Sequence, residues 1–367
     1  MENPGPRAVR ARLLRWFDAH RRDFPWRRTG DPYRILLAEY LLQRTRVATG
    51  TPYYERFLER FPDIRALAAA SLDDVLQVWE GLGFYGRARN LHATARAIVD
   101  ERGGRIPTSA KALEALPGIG PYTAGAVASI AFGQRVPAID GNAARVLARL
   151  YTIREDVSQG PGRARVDVIA RRLVPASRPG AFNQALMELG ATVCVPRVPR
   201  CESCPLLDVC RGRRAGIQGL LPTHGPRRPS PTVRVAFALM SADDRVLLVR
   251  RPAAGLLAGL WALPGGELPD AGDHATELPK LVRAQTGIPV DVRGPVRDVA
   301  HTFSHRKWSG AIYRCVPTSS DVPSNGARWV RRSELTRLPV VAFHRAALAS
   351  AASGPPIESF DAGRRSP

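Results

Sequence analysis

The sequence predicts two domains of different class: a mainly α N-terminal domain over residues 1–212 and a smaller α+β domain over residues 232–352. Three observations carry this division. From Arg7 to about Cys194, apolar residues recur at three- and four-residue spacings behind cap residues, the signature of packed helices. Residues 213–231 are rich in Gly, Pro and Arg and keep neither regular period, as a linker would. Beyond them short strand-like runs take over. A chain of 367 residues, 44% of them hydrophobic, is long enough for two cores of ordinary size.

Within the first domain, Asp31 can cap a helix whose first turn holds Pro32, so Tyr33 to Thr49 reads as one helix with Glu39 near its middle. Ser71-x-x-Asp74 marks a further helix start. After the linker come strands at Thr232–Met240 and Arg245–Arg250, joined by a turn at Ala242–Asp244, and another at Trp308–Val316. Residues 353–367 are Gly, Pro, Ser and Arg with little to bury, and are expected to be a disordered tail.

Lysine and arginine exceed aspartate and glutamate by 54 − 33 = 21, a balance that attracts polyanions and points to nucleic acid. A genome biased toward arginine codons would give the same surplus, because Lys111, Lys280 and Lys307 are the only lysines. No apolar stretch is long enough to cross a bilayer, and Met1–Arg15 lacks the apolar centre of a secretory signal. The expectation is a cytoplasmic protein, nucleoid-associated if bacterial, with no membrane partner and working as a monomer.

Cys194-x6-Cys201-x2-Cys204-x5-Cys210 lets one compact loop present four thiolates to a single centre, and spacing alone admits either zinc or an iron–sulfur cluster. Pro196, Arg197, Arg200 and Arg211 flank them, basic groups able to meet phosphates. Cys315, alone in an apolar strand, is expected to be a small buried hydrophobe. Leu116-Pro-Gly-Ile-Gly-Pro-Tyr-Thr-Ala-Gly125 joins two helical runs. Its Gly118 and Gly120 permit a tight turn exposing backbone amides ahead of a helix N-terminus, a phosphate grip, although a plain helix–helix turn uses the same residues. Val136-Pro-Ala-Ile-Asp140-Gly-Asn142 follows.

Hairpin, aspartate and cysteine ladder, in this order over about residues 10 to 212, resemble the helix-hairpin-helix DNA glycosylases of the endonuclease III superfamily. The resemblance implies two helical lobes with a cleft between them and a [4Fe-4S] cluster on the four cysteines. Glycosidic cleavage needs a proton for the leaving base and an anion beside the sugar cation, hence two carboxyl groups. Glu39, in the otherwise apolar Leu36-Leu-Ala-Glu39-Tyr-Leu-Leu-Gln43, is one, since burial there keeps it protonated. Asp140 is the other, and it can also serve as a helix N-cap. By the resemblance Glu39 protonates adenine N7 and later positions water, Asp140 faces the sugar cation, and Tyr122 and Asn142 support them. Tyr122 stands where bifunctional relatives carry lysine, so hydrolysis without strand cleavage is expected.

Phe24-Pro-Trp-Arg27, Gln184-Ala-Leu-Met-Glu188-Leu-Gly and the added C-terminal domain resemble the MutY-type adenine glycosylases in particular. That implies double-stranded DNA with adenine mispaired with 8-oxoguanine or guanine as the partner, and Arg27 and Glu188 beside the extruded base. Gly255-Leu-Leu-Ala-Gly-Leu-Trp261-Ala-Leu-Pro-Gly-Gly266 and His301-Thr-Phe303-Ser304-His305 resemble the family's Nudix-like module. Glu267 is followed by Leu-Pro-Asp-Ala-Gly-Asp rather than the acidic cassette that binds magnesium, so binding without hydrolysis is expected. Phe303, Ser304 and His305 would inspect the oxidised guanine, the Ser304 hydroxyl meeting its N7 hydrogen.

Two positions depart from that pattern. Gln43-Arg44-Thr45-Arg46 replaces the usual Gln-Gln-Thr, and Phe84 replaces tyrosine, at positions expected to wedge into the base stack. Arg44, Arg46 and Phe84 leave open a glycosylase for another mismatch, such as thymine opposite guanine. A non-catalytic DNA-binding paralogue is the other alternative, against which Glu39 and Asp140 both argue.

Overall fold

The computed structural model describes residues 4–223, 225, 229–269, 272–319 and 321–350. The expected disordered tail, and the linker positions His224, Pro226, Arg227 and Arg228, lie outside the described residues. The chain divides into two compact units: Met1–Ala70 with Arg87–Arg227, and Ser71–Gly86 with Arg228–Pro367.

Helices α1 (Pro6–His20), α2 (Pro32–Leu42), α3 (Val47–Arg60) and α4 (Ile64–Ala69) open the first unit, and α5 (Leu72–Trp79) belongs to the second. The first unit resumes with α6 (Gly86–Arg102), α7 (Ala110–Glu114), α8 (Pro121–Phe132), α9 (Gly141–Tyr151), α10 (Gly160–Leu173), α11 (Pro179–Thr192) and the short α12 (Arg211–Arg214). One core joins α1, α9, α10 and α11 through Leu13, Phe17, Leu147, Val166, Phe182 and Leu186. Cys194, Cys204 and Cys210 pack against its edge, so the cysteine loop is seated on the helices that carry Asp140 and Glu188. Every residue of α2 from Ile35 to Leu41 is buried, as expected of a helix apolar on all faces.

Asp31 caps α2 as predicted, its carboxylate accepting from the Tyr33 N–H at 2.8 Å. The helix does not run on to Thr49: it ends at Leu42, and α3 starts separately at Val47. Arg44 sits in the left-handed region at φ 58°. The buried Arg87 guanidinium donates to the carbonyls of Tyr40 (3.1 Å), Leu41 (3.0 Å) and Gln43 (2.5 Å), taking up acceptors the helix end leaves unpaired. Gly125 on α8 touches the chain before α9 so closely that a Cβ would collide with the Pro137 carbonyl, which sets the height at which Asp140 enters its helix.

In the second unit β1 (Thr232–Leu239), β2 (Ser241–Ala242), β3 (Arg245–Arg250), β4 (Trp261–Ala262), β5 (Gly265–Glu267), β6 (Val290–Thr302), β7 (Lys307–Pro317) and β8 (Arg328–Arg331) form two small sheets. One has the order β5-β1-β7-β6, with β1 and β7 parallel; in the other β3 lies between β2 and β4 and pairs β8. Helices α13 (His274–Thr286) and α14 (Ala342–Ser350) complete it. Cys315 is buried in β7 as expected. Helix α5 is held inside this unit by three long-range contacts: Arg250 to Asp73 at 2.5 Å, Gln77 to the Thr336 carbonyl at 2.7 Å, and Arg345 to both Glu80 oxygens at 2.5 and 2.7 Å.

Candidate active site

The residues nominated for chemistry converge in the first unit. Glu39, Tyr122, Asp140, Asn142, Arg27 and Glu188 all line one cavity of about 180 Å³, together with Arg22, Trp26, Gln184 and Met187. Glu39 reaches it from the middle of α2, is 9% exposed, and is pushed up to about 7. Burial is the main cause; the Asp140 charge adds to it, while the Tyr122 hydroxyl and Arg27 pull the other way. At neutral pH a large fraction of Glu39 therefore keeps its proton, the state a general acid requires.

Asp140 occupies the N-cap of α9. Its Oδ1 accepts from the Ala143 N–H at 2.7 Å and its Oδ2 from the Asn142 side-chain amide at 2.8 Å. Burial raises its pKa, opposed by these hydrogen bonds and by Arg145. One Asp140 oxygen caps the helix as expected, and the residue also lines the cavity. Tyr122, in the first turn of α8, hydrogen-bonds Glu39 and also donates to Met187 Sδ at 3.5 Å. Its own pKa rises well above the ordinary value through burial and the nearby Glu39 and Asp140 charges, so it stays a neutral donor. Among the described residues no lysine lines the cavity, and Lys111 is exposed on α7.

Glu188 is 1% exposed on α11. Arg27 donates to its Oε2 at 2.8 Å, while Arg22 grips Oε1 at 2.6 Å and Oε2 at 3.1 Å. Burial alone would push Glu188 up, but the Arg22 and Arg27 hydrogen bonds outweigh it and hold the carboxyl below its ordinary range. An anionic acceptor fixed by two guanidiniums can receive an exocyclic amine in a defined direction. Sequence reasoning missed Arg22, whose side chain is half exposed and meets Glu188 only through folding.

Arg145 was missed as well. Its guanidinium joins Asn142 Oδ1 at 2.8 Å to the Gly190 carbonyl at 2.9 Å and the Cys194 carbonyl at 2.9 Å. Arg149, 1% exposed, donates to Cys194 Sγ at 3.4 Å and to the Val195 carbonyl at 2.7 Å. Hydrogen bonds thus run from the Asp140 carboxylate to the first cysteine. Cys194, Cys201, Cys204 and Cys210 line a single cavity with Arg149, Arg200 and Arg213. Burial pushes the Cys204 thiol up to about 12, helped by the charges of the other cysteines. Among the described residues, no three His, Cys, Asp or Glu side chains are grouped as they would be around a single metal ion.

Gly118, Gly120, Gln43 and Arg44 belong to the first unit but not to the lining of this cavity. Gly118 takes φ 72°, where a Cβ would strike Asn90, so the hairpin needs glycine there, while Gly120 is the extended N-cap of α8. Gln43 donates to Thr123 Oγ1 at 3.1 Å. Phe84, Phe303, Ser304 and His305 belong to the second unit. Phe84 is 46% exposed at φ 48°, so both departures from the expected pattern, Arg44 and Phe84, occupy left-handed backbone that non-glycine residues adopt only at a cost.

The helical lobe, its glycine hairpin and a cavity lined by Glu39, Asp140 and Glu188 are those of a base-excision DNA glycosylase: residues 37–171 match the HhH-GPD superfamily base excision DNA repair protein, and residues 235–350 match the NUDIX domain. The rat adenine DNA glycosylase is 37% identical over 386 residues, covering 89% of this chain and 74% of the relative; the human adenine DNA glycosylase is 36% identical, covering 94% and 72%. This chain belongs to the adenine DNA glycosylase family. Among solved structures, a thermostable thymine-DNA glycosylase is 32% identical with a TM-score of 0.53, covering 57% of this chain and 97% of its own.

Proposed function

We propose that this chain hydrolyses the N-glycosidic bond of adenine mispaired with 8-oxoguanine or guanine in double-stranded DNA, releasing the free base. The single observation that carries this is one cavity holding Glu39, poised near neutrality, beside Asp140 and the arginine-held Glu188. Glu39 donates its proton to adenine N7, the C1′–N9 bond breaks with its electrons going to the purine, and the base leaves neutral. The Asp140 carboxylate stabilises the oxocarbenium ion left on the sugar. Water adds to C1′ and returns its proton to Glu39. Tyr122 keeps Glu39 oriented, and Asn142 keeps Asp140 oriented. Glu188 accepts from the adenine amine, a donor that thymine lacks.

Gly118 and Gly120 grip a phosphate, Gln43, Arg44 and Phe84 enter the stack opposite the lesion, and the Phe303–Ser304–His305 tip reads the oxidised guanine. The second unit binds rather than hydrolyses. The four cysteines fit a [4Fe-4S] cluster, because four thiols surround one cavity and Arg149 already donates to Cys194 Sγ. When bound, the cluster supplies structural rigidity, holding Arg197 and Arg200 on a fixed loop. Purified protein should carry iron with broad visible absorbance; stoichiometric zinc without iron overturns that assignment.

A second reading, thymine excision opposite guanine, draws on the likeness to the thymine-DNA glycosylase and on Arg44. One assay separates them. Duplexes with adenine opposite 8-oxoguanine should lose adenine without strand cleavage, whereas release of thymine from a thymine–guanine duplex with adenine untouched would establish the second reading.

A further inference from the structure

Strands β6 and β7 form a hairpin whose last pair is Thr302 with Lys307, leaving a four-residue tip, Phe303 to Arg306, closed by the Phe303 N–H donating to the Arg306 carbonyl at 2.8 Å. The four residues are not equivalent. Ser304 and His305 are exposed, while the first and last are tied down. The Phe303 ring packs edge-on against His301 at 4.5 Å and Trp308 at 5.0 Å. Arg306 NH1 donates to Glu267 Oε1 at 2.6 Å and Oε2 at 2.9 Å. The same carboxylate accepts the indole N–H of the buried Trp308 at 2.8 Å. Glu267 thus joins the two anchors: it fixes the cation ending the tip and the ring beneath its start.

We infer that Arg306, clasped by Glu267, is a positioning residue that presents Ser304 and His305 to the base opposite the excised one. The inference rests on the proposed reading of oxidised guanine by that tip. β6 is the edge strand of the order β5-β1-β7-β6, while β7 is paired by β1 as far as Lys307, so the sheet holds one arm of the hairpin up to the base of the tip and the four tip residues project beyond it. An untethered tip samples many conformations and gives up binding when it must be ordered; a tip anchored at both ends has given up that freedom in advance. A hydroxyl that must meet one N–H depends on this more than a contact to the sugar–phosphate backbone does. Glu267 directly follows Gly265 and Gly266, and its carboxylate is engaged by Arg306 and Trp308.

The test compares full-length wild type with Arg306→Ala, Glu267→Gln and Arg306→Lys on duplexes carrying adenine opposite 8-oxoguanine or opposite guanine. Glu267→Gln keeps an acceptor for the Trp308 indole and guards against misfolding. The expected result is a KM for the 8-oxoguanine duplex raised roughly three- to tenfold in Arg306→Ala and Glu267→Gln, with kcat unchanged and the guanine duplex unaffected. Arg306→Lys should recover much of the loss. An unchanged ratio between the duplexes in both variants overturns the inference. So does an equal loss on both duplexes, which would make Arg306 a phosphate contact. If wild type itself shows no preference for 8-oxoguanine, the underlying reading of the tip fails and the inference goes with it.

Discussion

Replacing Glu39 with glutamine should abolish excision and at the same time make the protein more stable at alkaline pH. The glutamine amide cannot donate an acidic proton to the purine, so turnover should fall by about 10²- to 10⁴-fold while binding to mismatched duplex persists. The stability effect follows from the raised pKa. Because the folded protein holds Glu39 near 7 against an ordinary 4.5, folding favours the protonated form. That contribution is complete below about 4.5 and drains away as pH rises, until above about 7 wild type has lost about 3 kcal/mol that Glu39→Gln keeps. Melting temperatures of the two proteins followed from pH 4.5 to 9 should separate progressively and then run parallel. A constant gap across that range would mean Glu39 is not buried as described. Wild-type excision should itself fall about tenfold per unit above pH 7.

Asp140→Asn separates the helix cap from the proposed role beside the sugar. Asparagine caps helices as well as aspartate does, so the start of α9 should survive with a stability change of about 1 kcal/mol or less. The sugar cation loses its facing anion, and single-turnover excision should drop by about 10²- to 10³-fold. A pH profile adds a second readout. The Asp140 charge helps to raise Glu39, so in the variant the alkaline limb of the residual activity should move to lower pH. If the folded variant retains wild-type turnover, the capping role is the whole of what Asp140 does.

The sequence revealed most where local chemistry dictates structure. Asp31 before Pro32 and Asp140 before Gly141 act through neighbours two or three residues away and cap their helices as expected, and Gly118 takes the turn conformation that glycine permits. Glu39 was legible because α2 is apolar on every side of it. The end of α2 was not: the carbonyls of Tyr40, Leu41 and Gln43 are taken up by Arg87, more than forty positions along, and no local pattern reports that. Arg22 on Glu188 and Arg145 on Cys194 escaped for the same reason, since one arginine among 51 in the sequence carries no mark of its partner. The hairpin tip was legible through Ser304 and His305; the clasp beneath it was not, because Glu267 and Arg306 come together only across the sheet.

Helix α5 has a bearing on how the chain is made. Asp73, Gln77 and Glu80 find their partners 177, 259 and 265 residues downstream. A ribosome has therefore made every residue up to Arg345 before Glu80 can find its partner, and α5 must wait through that stretch of synthesis before these contacts can form. The helices of the first unit up to Thr192 are complete well before Arg345 is made, whereas α5 is among the last parts of its own unit to be secured.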